Sequence, residues 1–171
     1  MAKTLLLLRH AKSSREDPEM ADFDRPLTRR GRRDAPRMGE WMRKAGIKPD
    51  LILCSDARRA RETWTELAQT LRSTAPVLFE RALYMATSRA LLHRLQRLAG
   101  SIGSVLVIGH NPGLEQTAQA LANGTGEALE RLQQKFPTAA LARLDFAIED
   151  WNKLRPGSGR VALFVVPSDL D

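Results

Sequence analysis

Two histidines are the residues best placed to do chemistry. His10 follows Arg9 at the end of the apolar run Thr4 to Leu8, and His110 follows Gly109 at the end of Val105 to Ile108. A neutral imidazole, with an ordinary pKa near ~6.5, offers a nitrogen lone pair at neutral pH. An arginine fork binds phosphate oxygens in pairs. An Arg-His pair after a strand is also simply how a strand meets solvent, so Arg9 and His10 gain weight only from their company. That company includes Arg58, Arg59 and Arg61, which crowd the start of a helix expected after Ser55. A helix N-terminus already favours anions through its free N–H groups. Two histidines and several arginines at converging strand ends suggest phosphoryl transfer without a metal.

The elements that must position these residues alternate along the chain. Short unbroken apolar runs read as strands buried on both faces, whose carboxyl ends are where ligands bind in open α/β sheets. Thr4 to Leu8, Leu51 to Cys54 and Val105 to Ile108 are such runs, and Pro76 to Phe79 is a weaker one. Between them the spacing predicts a helix capped by Thr28 and running to about Lys44, with Gly46 as its stop. Pro36 lies inside it, so either a bend there or a start near Asp34 is expected. Ser55 is expected to cap a helix from about Asp56 to Leu71, and Thr87 or Ser88 to open one ending by Gly100. Leu114 to Leu121 and Glu127 to Gln134 are also helical in pattern. Ala140 to Ile148 alternates in polarity and precedes Val161 to Val166, which predicts two antiparallel strands at one side of the sheet. The expectation is one domain over residues 1–171, a three-layer α/β/α sandwich around a mostly parallel sheet.

Composition sets outer bounds. A chain of 171 residues, 43% hydrophobic and 27% charged, suits one soluble domain. One cysteine, Cys54, and three histidines exclude an internal disulfide and leave a zinc site short of ligands, so no metal and no cofactor are expected. The opening lacks the apolar length of a signal peptide and no stretch is long enough for a bilayer, which makes a cytoplasmic setting the expectation and a membrane partner unexpected. A net charge of +7 points to an anionic partner. Nucleic acid is disfavoured, because aromatics make up only 5% of the chain and none interleaves with the arginine clusters to stack on bases.

Four short motifs then occur in a telling order: Leu-Leu-Arg9-His10-Ala11; Arg25-Pro26-Leu27-Thr28 with Gly31; Ser55-Asp56-Ala57-Arg58-Arg59-Ala60 with Thr63; and Gly109-His110-Asn111-Pro112. Phe136-Pro137-Thr138-Ala139-Ala140 extends the series. Together they resemble the histidine phosphatase superfamily, which includes cofactor-dependent phosphoglycerate mutases and acid phosphatases. The short chain, the Arg-His-Ala-Lys-Ser-Ser opening and the Arg-Pro-Leu-Thr element look like its small SixA-type phosphohistidine phosphatases. The resemblance implies a phosphoglycerate mutase-like fold, with His10 as nucleophile and Arg9, Arg59 and His110 around the transferring phosphoryl group. Arg59 is preferred to Arg58 because it directly precedes Ala60. Arg25, Ser13 and Asn111 are read as substrate-binding residues. The family's glycine after the nucleophile is Ala11 here.

The implied substrate is a phosphorylated protein bearing phosphohistidine, with a small phosphate ester as the alternative and a non-catalytic phosphate-binding module as the rival outside enzymes. Larger family members place a glutamate after the third strand. Glu80 is the nearest candidate, but its spacing to Tyr84 is one residue off and the role is not carried over. Glu115 and Asp24 read as surface or salt-bridging groups. His93, Cys54, Trp41, Trp64 and Trp151 read as surface or packing residues, and Arg29 to Arg33 as a solvated helix face.

Overall fold

A computed structural model describes residues 2–171. One seven-stranded sheet organises it, in the order β3-β2-β4-β1-β6-β7-β5. The strands are β1 (Lys3–Arg9), β2 (Leu51–Ser55), β3 (Val77–Glu80), β4 (Ser104–Gly109), β5 (Ala122–Asn123), β6 (Leu141–Phe146) and β7 (Gly159–Val165). Pairing is parallel from β3 through β2 and β4 to β1, then antiparallel from β1 to β6 and from β6 to β7. The two-residue β5, which no sequence pattern announced, runs parallel to β7 at the far edge.

The unbroken apolar run of β1 has a direct cause. Leu5 and Leu7 enter a core with Leu91 and Leu95 of α3 (Ser88–Gln96), Leu114 and Leu121 of α4 (Gly113–Leu121) and Leu132 of α5 (Glu127–Gln134). Leu6 and Leu8 enter a second core with Met38 and Met42 of α1 (Arg29–Lys44) and Leu67 and Leu71 of α2 (Arg58–Leu71). Helices therefore cover both faces, and a buried middle strand has no polar face to show. This is the expected layered α/β arrangement, and the phosphoglycerate mutase-like fold class.

One local expectation is narrowed and one corrected. Helix α1 is capped by Thr28 as expected and starts at Arg29 with Pro36 inside it, so of the two readings of Pro36 the later start near Asp34 is set aside. Its first turn is pinned from outside: the Thr28 hydroxyl accepts from Gly31 N at 3.1 Å, and the Thr28 N–H donates to Lys12 O at 2.9 Å. The Pro36 carbonyl is itself used, accepting the Thr70 hydroxyl of α2 at 2.6 Å. Helix α2 begins at Arg58, with Ala57 rather than Ser55 at its N-cap. Ser55 Oγ accepts from Ala57 N at 3.2 Å, but its other neighbour is His110.

Candidate active site

Strands β1 and β4 are adjacent and in register, Arg9 opposite Gly109, so both histidines leave the sheet side by side. The His10 N–H donates to Gly109 O at 3.1 Å, and the two rings lie 5.2 Å apart. Side-chain chemistry then fixes the tautomer of His10. Its Nδ1 is 2.7 Å from the Ala11 carbonyl, which can only accept, so Nδ1 carries the proton. The lone pair is left on Nε2, where Arg59 Nε donates at 3.3 Å.

Arg59 reaches this position from the first turn of α2, and Thr63, one helical turn on, locks the junction. The Thr63 hydroxyl accepts from Ala11 N at 2.9 Å and donates to Arg59 O at 2.7 Å. Its neighbours Arg58 and Arg61 turn outward to Glu62 and Asp56, so of the three clustered arginines only Arg59 enters the site. Arg9 donates through NH1 to Phe136 O at 3.1 Å. Arg25 donates to Ser13 Oγ at 2.9 Å and to Asp22 Oδ1 at 3.0 Å. Ser13 thus orients Arg25. Asn111 is held in place, with Nδ2 donating to Phe136 O at 2.9 Å and Oδ1 accepting from Glu115 N at 3.2 Å, which leaves its second N–H without a partner among these bonds.

His110 Nε2 lies 2.7 Å from Ser55 Oγ. Among the described residues, the buried side-chain nitrogens without a partner are Arg9 Nε and His110 Nδ1. Both belong to this site, and buried polar groups left unpaired point to a ligand that completes them. Relative exposure is 5% for His10, 2% for Arg59, 7% for Arg25 and 3% for His110. For the two histidines burial is the main electrostatic cause: it holds His10 well below its ordinary pKa, with His110, Arg59 and Arg9 adding to the effect against the Ala11 carbonyl. The same cause, helped by Arg59, lowers His110 to about 3. Both rings are neutral near pH 7 while three guanidinium groups surround them.

Two further residues escaped the sequence reading. Asp22, in the short turn Asp22–Asp24, accepts from Arg59 NH2 at 3.1 Å through Oδ2 and from Arg59 NH1 at 2.7 Å through its carbonyl. Tyr84 donates its hydroxyl to the same Oδ2 and turns its ring edge-on to His110 at 5.5 Å. The Tyr84 hydrogen bond, ahead of the arginines, holds the Asp22 carboxyl well below the usual carboxylate range. Glu80 lies elsewhere, both of its oxygens taken by Arg94 at 2.8 Å. His93 is exposed and Cys54 buried, where desolvation pushes its thiol far up.

Paired histidines at the ends of neighbouring parallel strands, ringed by arginines, define an α/β site built for phosphoryl groups. The model of the histidine phosphatase superfamily (branch 1) matches residues 5–84. Uncharacterized protein MT1313 of Mycobacterium tuberculosis is 39% identical over 163 residues, covering 94% of this chain and 99% of that one. A solved structure from Agrobacterium tumefaciens, proposed to be the phosphohistidine phosphatase SixA, is 30% identical with a TM-score of 0.81 over 96% of this chain and 98% of its own. A second such SixA structure, from Nakamurella multipartitia, is 28% identical with a TM-score of 0.84 over 98% and 97%. The chain belongs to the histidine phosphatase superfamily.

Proposed function

We propose that the protein is a metal-independent phosphatase that passes the phosphoryl group through His10, and that its substrate is phosphohistidine on a protein. The observation that carries this reading is the fixed tautomer of His10, with its Nε2 lone pair facing Arg59 at 3.3 Å. Nε2 attacks phosphorus as the bond to the leaving atom breaks. Arg59, Arg9 and Arg25 take the phosphoryl oxygens, and His110, with the Ser55 hydroxyl donating to Nε2, turns its Nδ1–H to a third position. Donors already in place stabilise charge as it spreads over the equatorial oxygens, the main lever in phosphoryl transfer. Water then attacks the phosphohistidine. The P–N electron pair returns to Nε2, Nδ1 keeps its proton, and dihydrogen phosphate leaves with both protons of the water.

The leaving group separates the substrate classes. An alkoxide needs an acid, and the carboxyl of Glu80 is committed to Arg94. A phosphoimidazole protonated on its other ring nitrogen departs as neutral imidazole and needs none. The SixA-named neighbours support the same choice. The test is turnover, without added metal, of a phosphohistidine peptide and of p-nitrophenyl phosphate by wild type and His10→Ala. Fast loss of phosphate from the peptide, slow loss from the ester and none in the variant is the expected result. Activity surviving in His10→Ala refutes the nucleophile, and equal rates on both substrates refute the phosphohistidine preference.

A further inference from the structure

Asp22 is the carboxylate that meets the arginine pocket from its open side. Its side chain is 45% exposed, whereas that of Arg59, its partner at 3.1 Å, is 3% exposed. Arg59 thus spans the distance between them, with Nε toward His10 Nε2 and NH2 toward Asp22. Around Asp22 lie Phe23, edge-on to Tyr84 at 5.0 Å, and exposed Met85, whose sulfur sits 3.8 Å from Arg59 NH2. Because both histidines, Arg25 and Arg59 are buried while Asp22 is exposed beside them, a leaving group attached to a protein would cross this rim.

An incoming phosphoryl dianion competes with the Asp22 carboxylate for Arg59 and Arg25, and it carries more charge and more acceptor oxygens. Asp22 is the partner that can yield, being solvent-exposed. Once released from one guanidinium, its carboxylate faces the leaving group beside the Tyr84 hydroxyl. A carboxylate there stabilises a cationic leaving group through an N–H···O⁻ bond and opposes one that develops negative charge.

We propose that Asp22 determines leaving-group specificity, accepting the ring N–H of a protonated phosphoimidazole and disfavouring esters by like charge. The inference rests on the phosphohistidine reading above. As His10 Nε2 bonds to phosphorus, the substrate's P–N bond breaks and its electron pair stays on the departing nitrogen. The proton on the other ring nitrogen remains there, held by Asp22, and neutral imidazole leaves.

The experiment compares wild type, Asp22→Asn and Asp22→Glu on a phosphohistidine peptide and on p-nitrophenyl phosphate, with inhibition by inorganic phosphate measured alongside. Losing a hydrogen bond to a charged group lowers kcat/KM for the peptide by about 10- to 100-fold in Asp22→Asn. The ester is turned over as well or better, and phosphate inhibits at lower concentration because the uncharged amide competes less for Arg59 and Arg25. Asp22→Glu, which keeps the charge, retains preference for the peptide. Parallel loss on both substrates in Asp22→Asn overturns the proposal and reduces Asp22 to a structural partner of Arg59. An unchanged ratio of the two activities overturns it as well. A wild type that hydrolyses the ester but not the peptide overturns the underlying substrate reading instead, before any Asp22 variant is considered.

Discussion

Taking the protein from pH 7 to pH 5 in a phosphate-free buffer tests the electrostatics of the site without any substrate. The two site histidines are buried and neutral, His10 held well below its ordinary pKa of 6.5 and His110 lowered to about 3. In the unfolded chain both recover the ordinary value. Between pH 6.5 and the folded-state values the unfolded chain therefore binds protons that the folded protein refuses, and stability falls as pH falls. The contribution is intact above pH 6.5 and is lost progressively below it. His110, with its folded-state value near 3, removes about 2 kcal/mol between pH 7 and pH 5, and His10 adds a loss of the same sign. Against a total stability on the order of 5–15 kcal/mol, that is a large share. The carboxylates held low by their partners, Asp22, Glu62 and Asp169, have ordinary values of 3.8 to 4.5 and act mainly below this window. Urea unfolding at half-unit steps of pH gives the slope directly. His110→Asn removes one titrating ring from the comparison, and the loss over the same range should shrink by about 2 kcal/mol. A wild-type slope preserved in His110→Asn would refute a neutral, buried His110.

Two substitutions separate the groups that handle phosphate from those that only border it. Arg59→Lys keeps the charge but loses the fork that reaches His10 and Asp22 together, and kcat on the phosphohistidine peptide should fall by about a hundredfold or more, read in steady-state turnover. Glu80→Gln breaks a partly exposed ion pair with Arg94; activity on both substrates should stay within about twofold, and unfolding should shift by no more than about 1 kcal/mol.

Much of this was legible because the residues carrying it are local. The β1 run, the Thr28 cap and the alternation of β6 all reflect neighbours within a few positions, and the structure shows strands and a helix there. Sheet order is another matter. Leu8 pairs with Ile108 and Leu141, partners on elements far along the chain, and no periodicity in β1 encodes them. Pro36 left two readings open because the rule about interior prolines is local, whereas the bonds that hold α1 are not: Lys12 accepts from Thr28 at its start and Thr70 donates to the Pro36 carbonyl.

The site divides the same way. His10, His110 and the arginines announce themselves by type and by position at strand or helix ends. Asp22 does not, because Glu16, Asp17, Glu19, Asp22 and Asp24 crowd one polar loop and nothing in their order distinguishes one from another. What selects Asp22 is its meeting with Arg59 and Tyr84, residues on two other segments. The local clue was its position three residues before Arg25, to which it is also bonded. Glu80 had the opposite history: sequence position made it a candidate acid, and Arg94 on α3 claims it. The sign of charge met by a leaving group is thus set by which carboxylate the fold ties down and which it leaves at the rim. Under the proposed function, Glu80 tied to Arg94 and Asp22 at the rim would favour a group that departs carrying a proton over one that must first find one.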